Sequence, residues 1–211
     1  LLAKTEPFLN AVSFLSKRSP YVALNSELED MVRQISVFDS QYTEQIEEID
    51  INSDLYKLRY RRNRDAAQTI LGWLKADRPD VVIVPNGTIM ELGVCYNVSR
   101  SLKIPTTTYE FSDQRNRFWI AQNAEVMRQN THSLWEARKE VVLNADQLER
   151  VKSLMQARHS ASLWENFSRM WQGSPTEGGE KIRHTLGLDN RPIVLLATNV
   201  LGDSLTLGRQ V

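Results

Sequence analysis

Three short polar stretches hold the residues best suited to chemistry. Asn86-Gly87-Thr88 follows an apolar run, and Glu91 comes three residues after Thr88. Glycine there permits a left-handed backbone or the close approach of a ligand, Asn86 and Thr88 offer hydrogen-bonding side chains, and Glu91 is a candidate general base. The same residues have a structural use: Asn-Gly is a tight-turn pair, and Thr88 with Glu91 has capping-box spacing. The second stretch, Thr198-Asn199-Val200-Leu201-Gly202-Asp203-Ser204, also follows an apolar run and suits phosphate binding through its Gly-Asp-Ser turn. It lacks the Gly-Lys-Ser/Thr ending of a P-loop, and a solvated loop is the alternative. The third, residues 109–117, places Glu110, Asp113, Arg115 and Arg117 directly after a strand-like run, where a base or a polar ligand contact fits as well as a surface loop.

Other groups are less promising. His132, His159 and His184 lie far apart without metal-ligand spacing, so neither a metal site nor a Ser-His-Asp arrangement is expected, and His184 is expected on an exposed short helix. Arg59, Arg61, Arg62 and Arg64 form a basic run, but helical spacing spreads them around a cylinder and acids flank them, which suits a solvated face. Trp135, Trp164 and Trp171 suit helix packing better than sugar stacking. The single cysteine, Cys95, has no partner within the chain, so no disulfide framework is expected and a cytoplasmic setting is. With 26 basic and 26 acidic residues there is no net field to attract nucleic acid. No apolar run reaches the roughly 20 residues that span a bilayer, so membrane contact is expected to be peripheral at most.

The elements that position these residues follow from periodicity. Phe8, Val12 and Leu15 give residues 2–17 a helical stripe, Tyr21 to Leu24 has strand character, and Ser26 opens a second helix with an acidic first turn. Residues 39–53 are left unassigned. A strong helical pattern covers residues 54–76, ending before Pro79. Residues 80–85 form a β-branched run without polar alternation, as expected of a parallel strand covered on both faces. A helix over Leu92 to Leu102 and a strand over Thr106 to Phe111 complete a β-α-β unit. Residues 118–126 fit a strand or a buried loop. Residues 144–171 are expected as one long helix, residues 173–180 as a hinge, and residues 193–198 as another strand buried on both faces.

The run Arg78-Pro-Asp-Val-Val-Ile-Val-Pro-Asn-Gly87, with Ile104-Pro105-Thr106 after the helix, resembles the amino lobe of GT-B-fold glycosyltransferases. Lys181-Ile-Arg-His-Thr-Leu-Gly-Leu-Asp-Asn-Arg-Pro-Ile-Val-Leu-Leu-Ala-Thr-Asn199 is similar to the opening of their second lobe. Gly202-Asp203-Ser204 and Leu207-Gly208-Arg209-Gln210 resemble bacterial capsule and surface-polysaccharide biosynthesis proteins of that group. The resemblance implies transfer of a sugar from a nucleotide-sugar donor to a glycan acceptor, with no metal or other cofactor. It places Asn86, Gly87, Thr88 and the loop with Glu110, Asp113, Arg115 and Arg117 at an acceptor cleft. Asn199, Gly202, Ser204 and Arg209 would lie near the diphosphate.

The expected fold is therefore α/β: a Rossmann-like parallel sheet flanked by helices, a helix-rich carboxyl part, and the first strand of a second lobe at the end. The expected domains are residues 1–172 on the acceptor side, a hinge at 173–180, and a truncated donor-side start at 181–211. The absence of an initiator Met and a last segment that stops in mid-pattern point to a piece of a longer protein. The competing expectation is a non-catalytic α/β module that uses its long helices to bind another protein.

Overall fold

The computed structural model describes residues 22–112, 117–160, 162, 178–194 and 196. The chain divides into two compact units; the described part of the first is residues 22–109 and 120–128, and the remainder of the described chain forms the second. The expected helix over residues 2–17 lies outside the described residues.

In the first unit, α1 (Ser26–Glu44) starts where the Asn25 side chain accepts a hydrogen bond from the Leu28 amide at 2.9 Å. Its buried face carries Leu28, Val32 and Ile35 and then continues through Ser36, Phe38, Asp39 and Ser40. The helix therefore runs well into the segment that hydropathy left unassigned, because its carboxyl half buries polar residues that break an apolar pattern. α2 (Asp54–Ala76) is capped by Ser53 and buries Ala67, Leu71 and Leu74 along one side, over the range its periodicity indicates. Val22 and Leu24 pack against the core without forming the expected strand.

β1 (Val82–Pro85), α3 (Met90–Ser101) and β2 (Thr106–Phe111) form the predicted β-α-β unit. Val82 aligns with Thr106 and Pro85 with Tyr109 in a parallel register. β3 (Phe118–Gln122) joins the other edge of β2, and the sheet order is β1-β2-β3. Its direction is antiparallel, since Ser112 donates to the Arg117 carbonyl while Asn123 donates to that of Thr106. The sheet is thus small and mixed, within an α/β fold.

α1, α2 and α3 pack around Val32, Leu71, Leu74, Val94, Val98 and Ile104, all buried. Coverage of β1 on both faces does not occur among the described residues. Val84 is buried, but Ile83, pointing the other way, is 67 % exposed, and Ile120 on β3 is exposed too. A β-branched run reports strand propensity, and how many of its faces are covered depends on other elements.

In the second unit, α4 (His132–Arg138), α5 (Ala145–His159) and α6 (Gly179–Thr185) bury no residue. α5 begins in a full capping box, in which Asn144 accepts from the Gln147 amide and Gln147 accepts from the Asn144 amide. It ends at His159, with Ser160 hydrogen-bonded to the carbonyls of the last turn; residues 161 and 163–171 of the expected long helix lie outside the described residues. His184 on α6 is exposed, as expected. Ile193, Val194 and Leu196, the described part of the expected second-lobe strand, are exposed and belong to neither helix nor strand.

Candidate functional site

The carboxyl end of β1 is where backbone geometry and side-chain chemistry converge. The ladder extends one residue past the strand, as the Asn86 amide donates to the Tyr109 carbonyl at 2.8 Å. The chain then reverses with Asn86 at φ 57° and Gly87 at φ 86°, both left-handed. The Asn86 side chain accepts from the Thr88 amide at 3.0 Å and so stabilises the turn itself. At Gly87 a Cβ would lie 2.6 Å from Thr108 Cγ2 on the neighbouring strand, so glycine is demanded by both conformation and space. Gly93, one turn into α3, plays a packing part: a Cβ there would lie 2.6 Å from the Thr88 carbonyl oxygen.

The capping box expected from Thr88 and Glu91 is not formed. α3 starts later, at Met90, and its N-cap Ile89 makes no side-chain bond. Thr88 is buried and instead donates from Oγ1 to Glu125 Oε2 at 2.9 Å. Glu125 pairs with Arg128 at 3.3 Å, and the Arg128 guanidinium lies 5.2 Å from the Phe38 ring centroid. Glu91 forms an ion pair with Arg62 of α2. Partial burial pushes the Glu91 carboxyl up, but its own backbone amide and Arg62 outweigh that and hold it below the usual carboxylate range. A carboxylate so held is a poor base near neutral pH.

Behind this pair sits Asp39, only 3 % exposed. Asn63 of α2, also buried, donates to Asp39 Oδ2 at 3.4 Å and to Ser36 Oγ at 3.2 Å. Asp39 Oδ1 is buried with no hydrogen-bond partner among the described residues. Burial pushes this carboxyl above its ordinary value, against the opposing pull of Arg59 and Asn63. Arg59 itself donates to Thr43 Oγ1 at 3.2 Å. The arrangement is a charged cluster drawn from α1, α2, α3 and the segment after β3, gathered beside the turn that follows a parallel strand. It offers hydrogen bonds and fixed charge to a polar ligand, and Asp39 as a group that holds its proton more tightly than an ordinary carboxylate.

Asn86, Gly87, Thr88 and Glu91 therefore stand together. Glu110, on β2, is half-buried, and its Oε1 accepts from the Phe111 amide at 3.2 Å; Arg117 is exposed, its carbonyl bonded to Ser112. Asp113, Arg115, Asn199, Gly202, Ser204 and Arg209 lie outside the described residues. Glu125, Arg128 and Asp39 are new to the picture. Asp39 and Glu125 sit in segments whose element type periodicity left open, and Arg62 was masked by the neighbouring arginines of its helix.

No cluster of three or more His, Cys, Asp or Glu side chains suited to a metal occurs among the described residues. Cys95 is half-buried, and burial raises its thiol pKa. No helix among the described residues is long and apolar enough to cross a membrane. Compared with protein-family models, with curated proteins and with solved structures, the chain matches none.

Proposed function

We propose that this chain is the acceptor-side part of a nucleotide-sugar glycosyltransferase of the GT-B type, acting in the cytoplasm on a glycan such as a surface polysaccharide. One observation carries the reading: the left-handed Asn86-Gly87 turn at the carboxyl end of a parallel strand, packed on Thr108 and followed by Thr88, bonded to Glu125 of the Glu125–Arg128 pair, and by Glu91, paired with Arg62. Ligands of open α/β sheets bind at that end of the strands, where turns and helix starts present polar groups. In this reading the turn contacts the acceptor, and buried Thr88 holds Glu125 in place beside it. Glu91, paired with Arg62, serves charge placement better than proton removal. A Rossmann-like sheet with a second lobe supplying the nucleotide contacts belongs to the same proposal. So do Asn199, Gly202, Ser204 and Arg209 as phosphate contacts, and the independence from a metal or other cofactor.

The test is isothermal titration of the full-length protein with a panel of nucleoside-diphosphate sugars, followed by a nucleotide-release assay with a glycan acceptor. Binding is expected, and Thr88→Val should lower kcat/KM about tenfold, the worth of one hydrogen bond of roughly 1.4 kcal/mol. Failure of every nucleotide sugar to bind overturns the reading.

A second reading, a non-catalytic module whose helices bind another protein, is favoured by the absence of any buried residue in α4 and α5. Equilibrium sedimentation of the same protein, showing a stable helix-mediated oligomer alongside no nucleotide-sugar binding, supports it.

A further inference from the structure

Asn86-Gly87 is the single Asn-Gly pair in the chain, and such a pair carries a reaction of its own. Glycine puts no side chain in the way, so its backbone nitrogen can attack the amide carbon of the asparagine before it. The Gly87 nitrogen gives its proton to a base from solvent and bonds to Asn86 Cγ. The Cγ–Nδ2 bond then breaks, and Nδ2 takes up a proton and leaves as ammonia. Water opens the resulting cyclic imide at either carbonyl. One product is aspartate at position 86. The other is isoaspartate, whose main chain runs through Cβ and Cγ while Cα bears the carboxylate.

In the folded turn both partners of this reaction are held. The Gly87 N–H donates to the Pro85 carbonyl at 2.6 Å, closing a three-residue turn about Asn86, and the Asn86 side-chain oxygen accepts from the Thr88 amide at 3.0 Å. An imide nitrogen is planar, so its new bond to Cγ forms along the direction in which the N–H now points. That direction leads to the Pro85 carbonyl and away from Asn86 Cγ. Redirecting it rotates the Asn86–Gly87 peptide, breaks the bond to Pro85 and moves Gly87, which lies so close to β2 that a Cβ would stand 2.6 Å from Thr108 Cγ2. Gly87 is also buried, which keeps solvent base from its proton. We propose that Asn86 is a deamidation site that the folded turn shuts, so that modification follows opening of the turn and, through isoaspartate, prevents its closing again. The isoaspartyl main chain is longer by one bond, about 1.5 Å. It must fit between an Asn86 amide tied to Tyr109 and a glycine packed on Thr108, where there is no slack. The reaction belongs to the turn itself and does not depend on the ligand that the turn serves.

Peptide mapping for isoaspartate at position 86 tests this during incubation in mildly alkaline buffer. Three samples are compared: the folded chain, the chain unfolded in urea, and a peptide of residues 80–92. The peptide and the unfolded chain should react at one rate. The folded chain should react about twentyfold more slowly or less, at roughly fivefold for each of the two hydrogen bonds, to Pro85 and from Thr88, that must break first. Isoaspartyl chains recovered from urea should then refold with a lower urea midpoint than Asn86→Asp, which carries the same new charge on a main chain of unchanged length. Equal rates in the folded chain and the peptide overturn the proposal, as does an unfolded chain that forms no isoaspartate at position 86. Equal midpoints for the isoaspartyl chain and Asn86→Asp overturn it too, because the added backbone atom would then cost nothing.

Discussion

The α1–α2–α3 assembly and the α4–α5 segment are both helical, yet they are helical for different reasons. α1, α2 and α3 each bury a stripe against one another, and their caps only set where they begin. α5 buries nothing and stands on local interactions, a complete capping box and good helix formers. Isolated helices of about 15 residues are marginal in water, so burial is what normally decides whether such a segment persists. The first region owes its form to its own core. The second presents its apolar side chains outward, the condition that a surface for another molecule requires.

The largest test of that contrast is a matched pair of truncations. Leu74 is 1 % exposed inside the core, and Leu74→Ala should cost about 2–5 kcal/mol in urea unfolding, the range for a buried leucine that leaves a cavity. Leu148→Ala on α5, at a position 45 % exposed, should change the same transition by less than about 0.5 kcal/mol. Equal losses at the two sites would break the comparison.

A second test sharpens the account of the turn within the packed region. Gly87→Ala combines a left-handed backbone at φ 86° with a contact of 2.6 Å to Thr108 Cγ2. A loss of about 1–3 kcal/mol is expected. Thr108→Ser removes that methyl and keeps a hydroxyl to donate to the Ala124 carbonyl, so in the double variant the steric share should return and the backbone share remain. Strict additivity of the two substitutions would show that the contact does not matter.

Much of this was legible in residue order, and the failures have physical causes. The ranges of α2 and β2 follow from helical and strand periodicity, and the parallel pairing of β1 with β2 follows from the helix between them. The carboxyl half of α1 was hidden because Ser36, Asp39 and Ser40 are buried polar residues, held by a network with Asn63 that no hydropathy pattern reports. Ile83 and Val194 sit in equally apolar runs, but one belongs to a strand and the other to exposed irregular chain, since an apolar run does not say what covers it. At the candidate site Gly87 could be read from its Asn-Gly turn. Glu125 and Arg128 could not, because their approach to Thr88 depends on how β3 returns along β2.

The same buried polar network yields the smallest and most specific prediction. Asp39 titrates above its ordinary value near 3.8 when folded, because burial disfavours its charge more than Arg59 and Asn63 restore it. A folded state that holds the proton more tightly gains stability that is full below about 3.8 and is lost as pH rises through the folded pKa. Asparagine cannot titrate, so Asp39→Asn should lack that loss. The stability of the wild type relative to this variant should therefore fall as pH rises from about 4 through the raised pKa of folded Asp39, by about 1.4 kcal/mol for each unit of upward shift. Urea midpoints collected across that range for the two proteins decide the matter. A wild type that gains on Asp39→Asn as pH rises would mean that the arginines beside Asp39 outweigh its burial and that the cluster holds it as a carboxylate.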